Sequence, residues 1–175
     1  MKIAVIGKMC SGKSTIADII MNHDSQYEKF AFGQKVKDLA KELFNMIGKD
    51  RALLVNFANK MRDIDPDVWV NQVLYLTNGK DYCIIDDIRY QNELDSLIND
   101  NWIIIKLTIS KELQEKRIKE TYPETYKEHL KYTDHFSENQ DLRFKSGYPH
   151  LTLHVDEFTK EQLKEKIIYF IEHNI

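Results

Sequence analysis

Residues 7–14 read Gly-Lys-Met-Cys-Ser-Gly-Lys-Ser and follow directly on the apolar run Ile3, Ala4, Val5, Ile6. They fill every fixed position of the pattern G-x-x-x-x-G-K-[ST]. The constraint is mechanical. Glycine lets the backbone curl so that successive N–H groups converge on one point, where the oxygens of an anion fit. A helix has to follow at once, because the positive end of its dipole completes the cradle. Ile16, Ala17, Ile19 and Ile20 supply the apolar side of such a helix over residues 13–21. A plain glycine turn would need neither Lys13 nor Ser14 after Gly12. In a phosphate-binding loop Lys13 reaches the terminal phosphates of a nucleotide, and the Ser14 hydroxyl ligates Mg²⁺.

The chain has 175 residues, the length of one domain. Its net charge is −3, with both signs interspersed, which predicts no general attraction to nucleic acid or to a membrane surface. The two cysteines, Cys10 and Cys83, are too far apart for a metal spacing and predict no disulfide framework, which suits a reducing cytoplasm. The opening apolar run leads straight into the loop and reads as a strand rather than a signal peptide. No apolar run is long enough to span a bilayer.

Along the chain, continuous apolar runs predict strands at residues 3–6 and 82–85, with a further strong strand at 102–109, a short mixed one at 27–32 and an alternating one at 151–155. Helices are predicted over 34–47, closed by Gly48, and over 51–61. A third begins at Asp65-Pro66, read as an N-cap and a first-turn proline, and continues to about residue 78. Further helices are expected over 92–99, over 111–121 behind the cap Ser110, and over 159–173. Residues 121–149 show no clear period. Strands alternating with helices predict a three-layer α/β/α domain around a mostly parallel, five-stranded sheet. The ligand is then expected beyond the carboxyl ends of the strands. Residues 33–80 hold more helix than one crossover needs, so a second substrate is expected there.

Other residues suggest chemistry. Asp86-Asp87-Ile88-Arg89 closes an apolar strand. A strand-end carboxylate beside a phosphate loop can hold Mg²⁺, and Arg89 can fork onto a phosphate. Either Asp86 or Asp87 fits the metal role. Arg117 lies in the mixed-charge helix, where a cation could close over reacting phosphates. Phe32 could stack on a base, and Lys37 and Arg62 could meet a monophosphate. On spacing alone, however, Phe32 reads as core and Lys35 as a solvated charge. Trp69 and Trp102 likewise read as packing. His150 and His154 would share a strand face without a third ligand to make a metal site.

These motifs, in this order, resemble the viral and bacteriophage deoxynucleoside monophosphate kinases, which are similar to animal-type phosphomevalonate kinases. The resemblance runs through residues 7–14, Phe32-Gly33 with Lys37-Asp38, Leu54 to Arg62, Asp65, Asp67, Trp69 and Val70. It continues through Asp87-Ile88-Arg89 with Glu93-Leu94-Asp95, Arg117, and His135-Phe136-Ser137-Glu138. It implies a nucleoside-monophosphate-kinase-like fold, with a helical acceptor-binding region at 33–80 and a lid at 111–149. By that resemblance ATP is held by Gly7, Met9, Cys10, Ser11, Gly12, Lys13, Ser14 and Thr15. Mg²⁺ falls to Ser14 with Asp86 or Asp87, and catalysis to Lys13, Asp87, Arg89 and Arg117. The acceptor contacts are Phe32, Lys37, Arg62, Asp67, Trp69, Arg89 and Glu93. The activity implied is transfer of the γ-phosphoryl group of ATP to a (deoxy)nucleoside monophosphate, by a monomer or homodimer. Two other readings stay open: a kinase of phosphomevalonate or dephospho-coenzyme A, and a nucleotide-dependent binding switch. Against the switch, the chain carries no N-K-x-D motif.

Overall fold

The computed structural model describes residues 1–133, 142–144 and 147–173. In chain order the elements are β1 (Lys2–Ile6), α1 (Lys13–His23), β2 (Glu28–Phe30), α2 (Phe32–Phe44), α3 (Arg51–Ile64), α4 (Val68–Thr77) and β3 (Cys83–Ile85). Then follow α5 (Gln91–Asn99), β4 (Ile103–Thr108), α6 (Lys111–Thr121), α7 (Tyr126–Thr133), β5 (Leu151–His154) and α8 (Lys160–His173). The strands lie in the order β2-β3-β1-β4-β5. β1 pairs in parallel with β3 and with β4, and β4 pairs in parallel with β5. The result is the expected three-layer α/β/α architecture on an all-parallel sheet. Parallel strands all end on one side, so the loops after β1, β3, β4 and β5 share one edge of the sheet.

Two compact units divide the chain: residues 1–29 with 81–175, and residues 30–80. In the first, Ile3 and Val5 point to one face of the sheet, as strand alternation requires. They meet Ile16, Ala17 and Ile20 of α1 and Leu163, Ile167 and Ile171 of α8, with Ile84, Ile105, Leu107 and Leu153 from the neighbouring strands. Each fully buried Ile or Leu contributes roughly 1.5–3 kcal/mol, so this layer holds the phosphate loop on a rigid base. In the second unit, Phe57 lies edge-on to Phe44 at 5.6 Å and to Trp69 at 6.2 Å between ring centroids. The Trp69 indole N–H donates to the Ala58 carbonyl at 3.2 Å.

Some boundaries differ from the sequence expectation. The helix expected over 34–47 runs Phe32–Phe44, because Asn45 turns the chain left-handed at φ 51°. Ile47, which fits the apolar period, is left 98% exposed. Asp65-Pro66 does not open a helix. Asp65 instead ends α3, its carboxylate accepts the Asp67 amide at 2.9 Å, and Asp67 stands at the N-cap of α4. Within the stretch expected to lack a period, α7 forms. It is braced by the Tyr122 and His129 rings, stacked 3.9 Å apart.

His150 leads into β5 and clamps it to β4. Its amide donates to the Ile104 carbonyl, and its Nδ1 accepts the Ile104 amide, both at 3.0 Å. The ring's partial burial lowers its pKa from the ordinary 6.5. A folded value below the unfolded one means that this contribution is fully present above 6.5 and is lost as pH falls through the folded value. The His150 contribution to melting temperature is therefore lost as pH falls below 6.5, and His150→Gln removes that part of the pH dependence in a thermal-denaturation series.

Candidate active site

The loop after β1 is shaped by its own backbone and by α6. Gly7 leaves β1 at φ 156°, and a β-carbon there would lie 2.6 Å from the Ser11 Oγ and 2.8 Å from the Leu107 carbonyl oxygen. Cys10 at φ 59° and Gly12 at φ 100° both take left-handed conformations, and Gly12 is the N-cap of α1. Cys10 has no glycine's freedom, so its backbone is strained and needs support. That support comes from α6. The Arg117 Nη1 donates to the Cys10 carbonyl at 3.3 Å and to the Ser11 carbonyl at 3.4 Å. Gln114, buried at 6% exposure, donates from Nε2 to the Met9 carbonyl at 3.0 Å. The Lys13 Nζ donates to the Gly7 and Lys8 carbonyls at 2.8 and 2.9 Å. Three successive carbonyls are thus tied back by α6, while the Ser11 amide donates within the loop to the Lys8 carbonyl at 3.2 Å.

α6 is itself fixed at the sheet edge. The Ser110 amide donates to the Asp156 carboxylate at 2.9 Å, and the Ser110 hydroxyl makes a second, short bond to it. These bonds hold the Asp156 carboxyl below its ordinary pKa. Ser110 Oγ also caps α6, accepting the Leu113 amide. The end of β5 therefore positions the start of α6, which positions Gln114 and Arg117 on the loop.

At the end of β3, Asp86 is buried and pairs with the Lys29 Nζ at 2.7 Å. Asp87 beside it is half-buried. Glu93, 2% exposed, accepts the amides of Arg89 and Tyr90 at 2.7 and 3.0 Å. Its carboxylate thus caps α5 and shapes the turn that carries Arg89, whose side chain stands at the exposed rim.

Of the residues expected at the site, Gly7, Met9, Cys10, Ser11, Gly12, Lys13 and Arg117 come together in the first unit. Ser14 and Thr15 are exposed in the first turn of α1. In the helical unit, Lys37 and Asp67 are exposed, and Arg62 reaches the Asn59 side chain at 3.3 Å. Phe32 and Trp69, 4% and 3% exposed, present no ring face to solvent. His135, Phe136, Ser137 and Glu138 lie outside the described residues.

Gln114 was not legible as a site residue. Its only signal is an uncharged amide in a strongly charged helix. Gln114→Met keeps the volume but leaves the Met9 carbonyl unpaired, at about 1–1.5 kcal/mol. Binding of a phosphate anion to the loop then weakens about tenfold. A role in folding alone would lower the melting temperature without moving that affinity.

The arrangement fits a magnesium nucleotide. Gly7 has no space for a side chain, the loop opens onto the N-terminus of α1, and Lys13 lies along the loop. Among the described residues no three His, Cys, Asp or Glu side chains gather around one point. Also among the described residues, no helix is long and apolar enough to cross a membrane.

The chain also resembles known proteins. No curated protein matches it in sequence. Among solved structures, a shikimate kinase from Aquifex aeolicus superposes with a TM-score of 0.56 at 18% identity, covering 99% of this chain and 98% of its own. An APS kinase from Mycobacterium tuberculosis, solved in complex with AMPPNP and APS, gives a TM-score of 0.55 at 13% identity over 98% of each chain. Likeness of this degree establishes a shared fold, that of the phosphate-loop kinases. The family model for the AAA domain matches residues 3–145, from β1 past α7. The chain therefore belongs to the AAA domain family.

Proposed function

We propose that the protein is a kinase that transfers the γ-phosphoryl group of ATP to a (deoxy)nucleoside monophosphate. One observation carries the reading. Lys13 and Arg117, two cations from different elements, both hydrogen-bond to carbonyls of the phosphate loop. In this reading they are the cations that meet the charge developing on a transferring phosphoryl group. The acceptor is a phosphate by the resemblance in Asp87-Ile88-Arg89 with Glu93, supported by the way Glu93 fixes the Arg89 turn. Lys37 and Arg62 are proposed as further contacts to that phosphate.

An oxygen of the acceptor phosphate attacks the γ-phosphorus in line. The bond from that phosphorus to the β-bridging oxygen breaks, ADP leaves, and the acceptor becomes a diphosphate. The acceptor oxygen is already anionic, so no general base is required. The loop amides and Lys13 hold the donor. Arg117 leaves the Cys10 and Ser11 carbonyls for the transferring group, and Arg89 orients the acceptor. Ser14 and a strand-end carboxylate would hold Mg²⁺, which would supply charge neutralisation at the phosphates.

The test is a coupled assay of ADP release by the purified protein, with ATP and each common nucleoside and deoxynucleoside monophosphate in turn. At least one accelerates ATP consumption manyfold over ATP alone. Acceleration by none of them, with turnover on phosphomevalonate or dephospho-coenzyme A, would move the acceptor to that class.

A further inference from the structure

Gln91 joins two parts of the first unit that lie far apart in sequence. It is the first residue of α5 and follows closely on Arg89. Its Nε2 donates to the Arg143 carbonyl at 3.0 Å, and its Oε1 accepts the Arg143 amide at 2.9 Å. The carboxamide thus pairs with a backbone 52 residues away as a neighbouring strand would. Nε2 also donates to the Asp95 carboxylate at 2.9 Å, one turn further along α5. A carboxylate only accepts, so Asp95 sets which way the carboxamide faces. The next residue, Phe144, carries a second tether. The Lys106 Nζ stands over its ring, 5.1 Å from the centroid. Lys106 belongs to β4 and pairs in register with Ile6, the residue before Gly7. Residues 143 and 144 therefore connect the Arg89 turn to the strand pair that leads into the phosphate loop. We infer that Gln91 is a positioning residue: by clasping Arg143 it holds the Arg89 turn in a fixed place relative to the loop, and so presents Arg89 to the acceptor phosphate. The inference rests on the kinase reading, since it needs an acceptor phosphate for Arg89 to meet.

The turn has two supports, and they do different things. Glu93 accepts the Arg89 and Tyr90 amides, so it fixes the shape of the turn itself. Donors and acceptor belong to one short stretch of chain, and these bonds do not set where the turn stands relative to β4. Gln91 supplies that relation. It engages both backbone groups of Arg143, which fixes orientation as well as distance. The contact between Lys106 and Phe144 carries the tether on to β4. Such placement matters for a guanidinium, whose fork meets phosphate oxygens only in one geometry. A shift of about 1 Å in a positioning group costs up to about a hundredfold in rate. An anchor that served folding alone could lie anywhere along the sheet. This one lies at the edge where the phosphate loop begins, beside the turn that carries Arg89.

The test is steady-state kinetics with ATP and the common nucleoside and deoxynucleoside monophosphates, the fastest acceptor of the unaltered protein being kept for the variants. Gln91→Leu, similar in size but without the hydrogen bonds, raises the acceptor KM about tenfold. It leaves the KM for ATP within about twofold of the parent value, because the donor loop is untouched. Gln91→Glu keeps only the bond from the Arg143 amide and moves the acceptor KM in the same direction. Arg89→Ala then decides the route. Positioning that acts through Arg89 is lost with it, so adding Gln91→Leu to Arg89→Ala changes the acceptor KM by less than about twofold. A full tenfold rise in that double variant would overturn the inference, because Gln91 would then act without Arg89. So would an unchanged acceptor KM in both Gln91 variants beside a lowered melting temperature, which would leave only a folding anchor. ATP consumption that no monophosphate accelerates in the unaltered protein would instead refute the kinase reading, and this inference with it.

Discussion

Lys13→Met lowers kcat by about 10²–10³-fold, the scale of losing one preorganised charge donor at a transition state. The protein stays folded. The ammonium donates to the Gly7 and Lys8 backbone carbonyls, at 2.8 and 2.9 Å, on a partly exposed surface. Losing them costs about 1 kcal/mol, or about 2–4 °C of melting temperature for a chain of this size. Methionine keeps the length and apolar stem of lysine, so the loss is one of charge. Steady-state kinetics beside a thermal melt separates the two effects. A variant that turned over at the parent rate would remove Lys13 from the chemistry.

Gly7→Ala has the largest expected effect on stability. The added carbon would lie 2.8 Å from the Leu107 carbonyl and 3.1 Å from the Leu107 Cβ. β1 and β4 are paired in register, so neither backbone can give way without disturbing the centre of the sheet. The left-handed sense of φ at Gly7 adds backbone strain. Together they cost about 3 kcal/mol, or about 6–12 °C in melting temperature. Gly12→Ala tests the specificity of the argument. A β-carbon there meets only the Arg117 Nη1 at 3.9 Å, so the cost comes from φ alone and is smaller. Equal losses at the two glycines in a thermal melt would contradict this packing account.

The parts legible in the sequence were those whose chemistry is local. The phosphate loop needs glycine, lysine and serine at set spacings, and β1 and β3 carry unbroken apolar runs, with β4 interrupted by Lys106, because both faces of a parallel sheet are covered. The end of α2 was misread because Ile47 continues the apolar period, while the left-handed Asn45 that stops the helix carries little signal. Asp65-Pro66 suits a helix start and a turn equally, and the bond from the Asp67 amide to the Asp65 carboxylate decides for the turn. α7 has few apolar residues, and a ring stack between Tyr122 and His129 braces it rather than a hydrophobic face. Gln114 and Lys29 were invisible for a different reason. Their partners lie 105 and 57 residues away, so their roles exist only once the sheet has formed.

The central claim is direct transfer between two phosphates. It is tested by a single-turnover reaction with γ-labelled ATP and the acceptor found active in the coupled assay. The label is expected in the terminal phosphate of the new nucleoside diphosphate, with little in inorganic phosphate and little ATP consumed when the acceptor is omitted. Label released as inorganic phosphate at the same rate with and without acceptor would contradict the account and mark the protein as a nucleotide hydrolase.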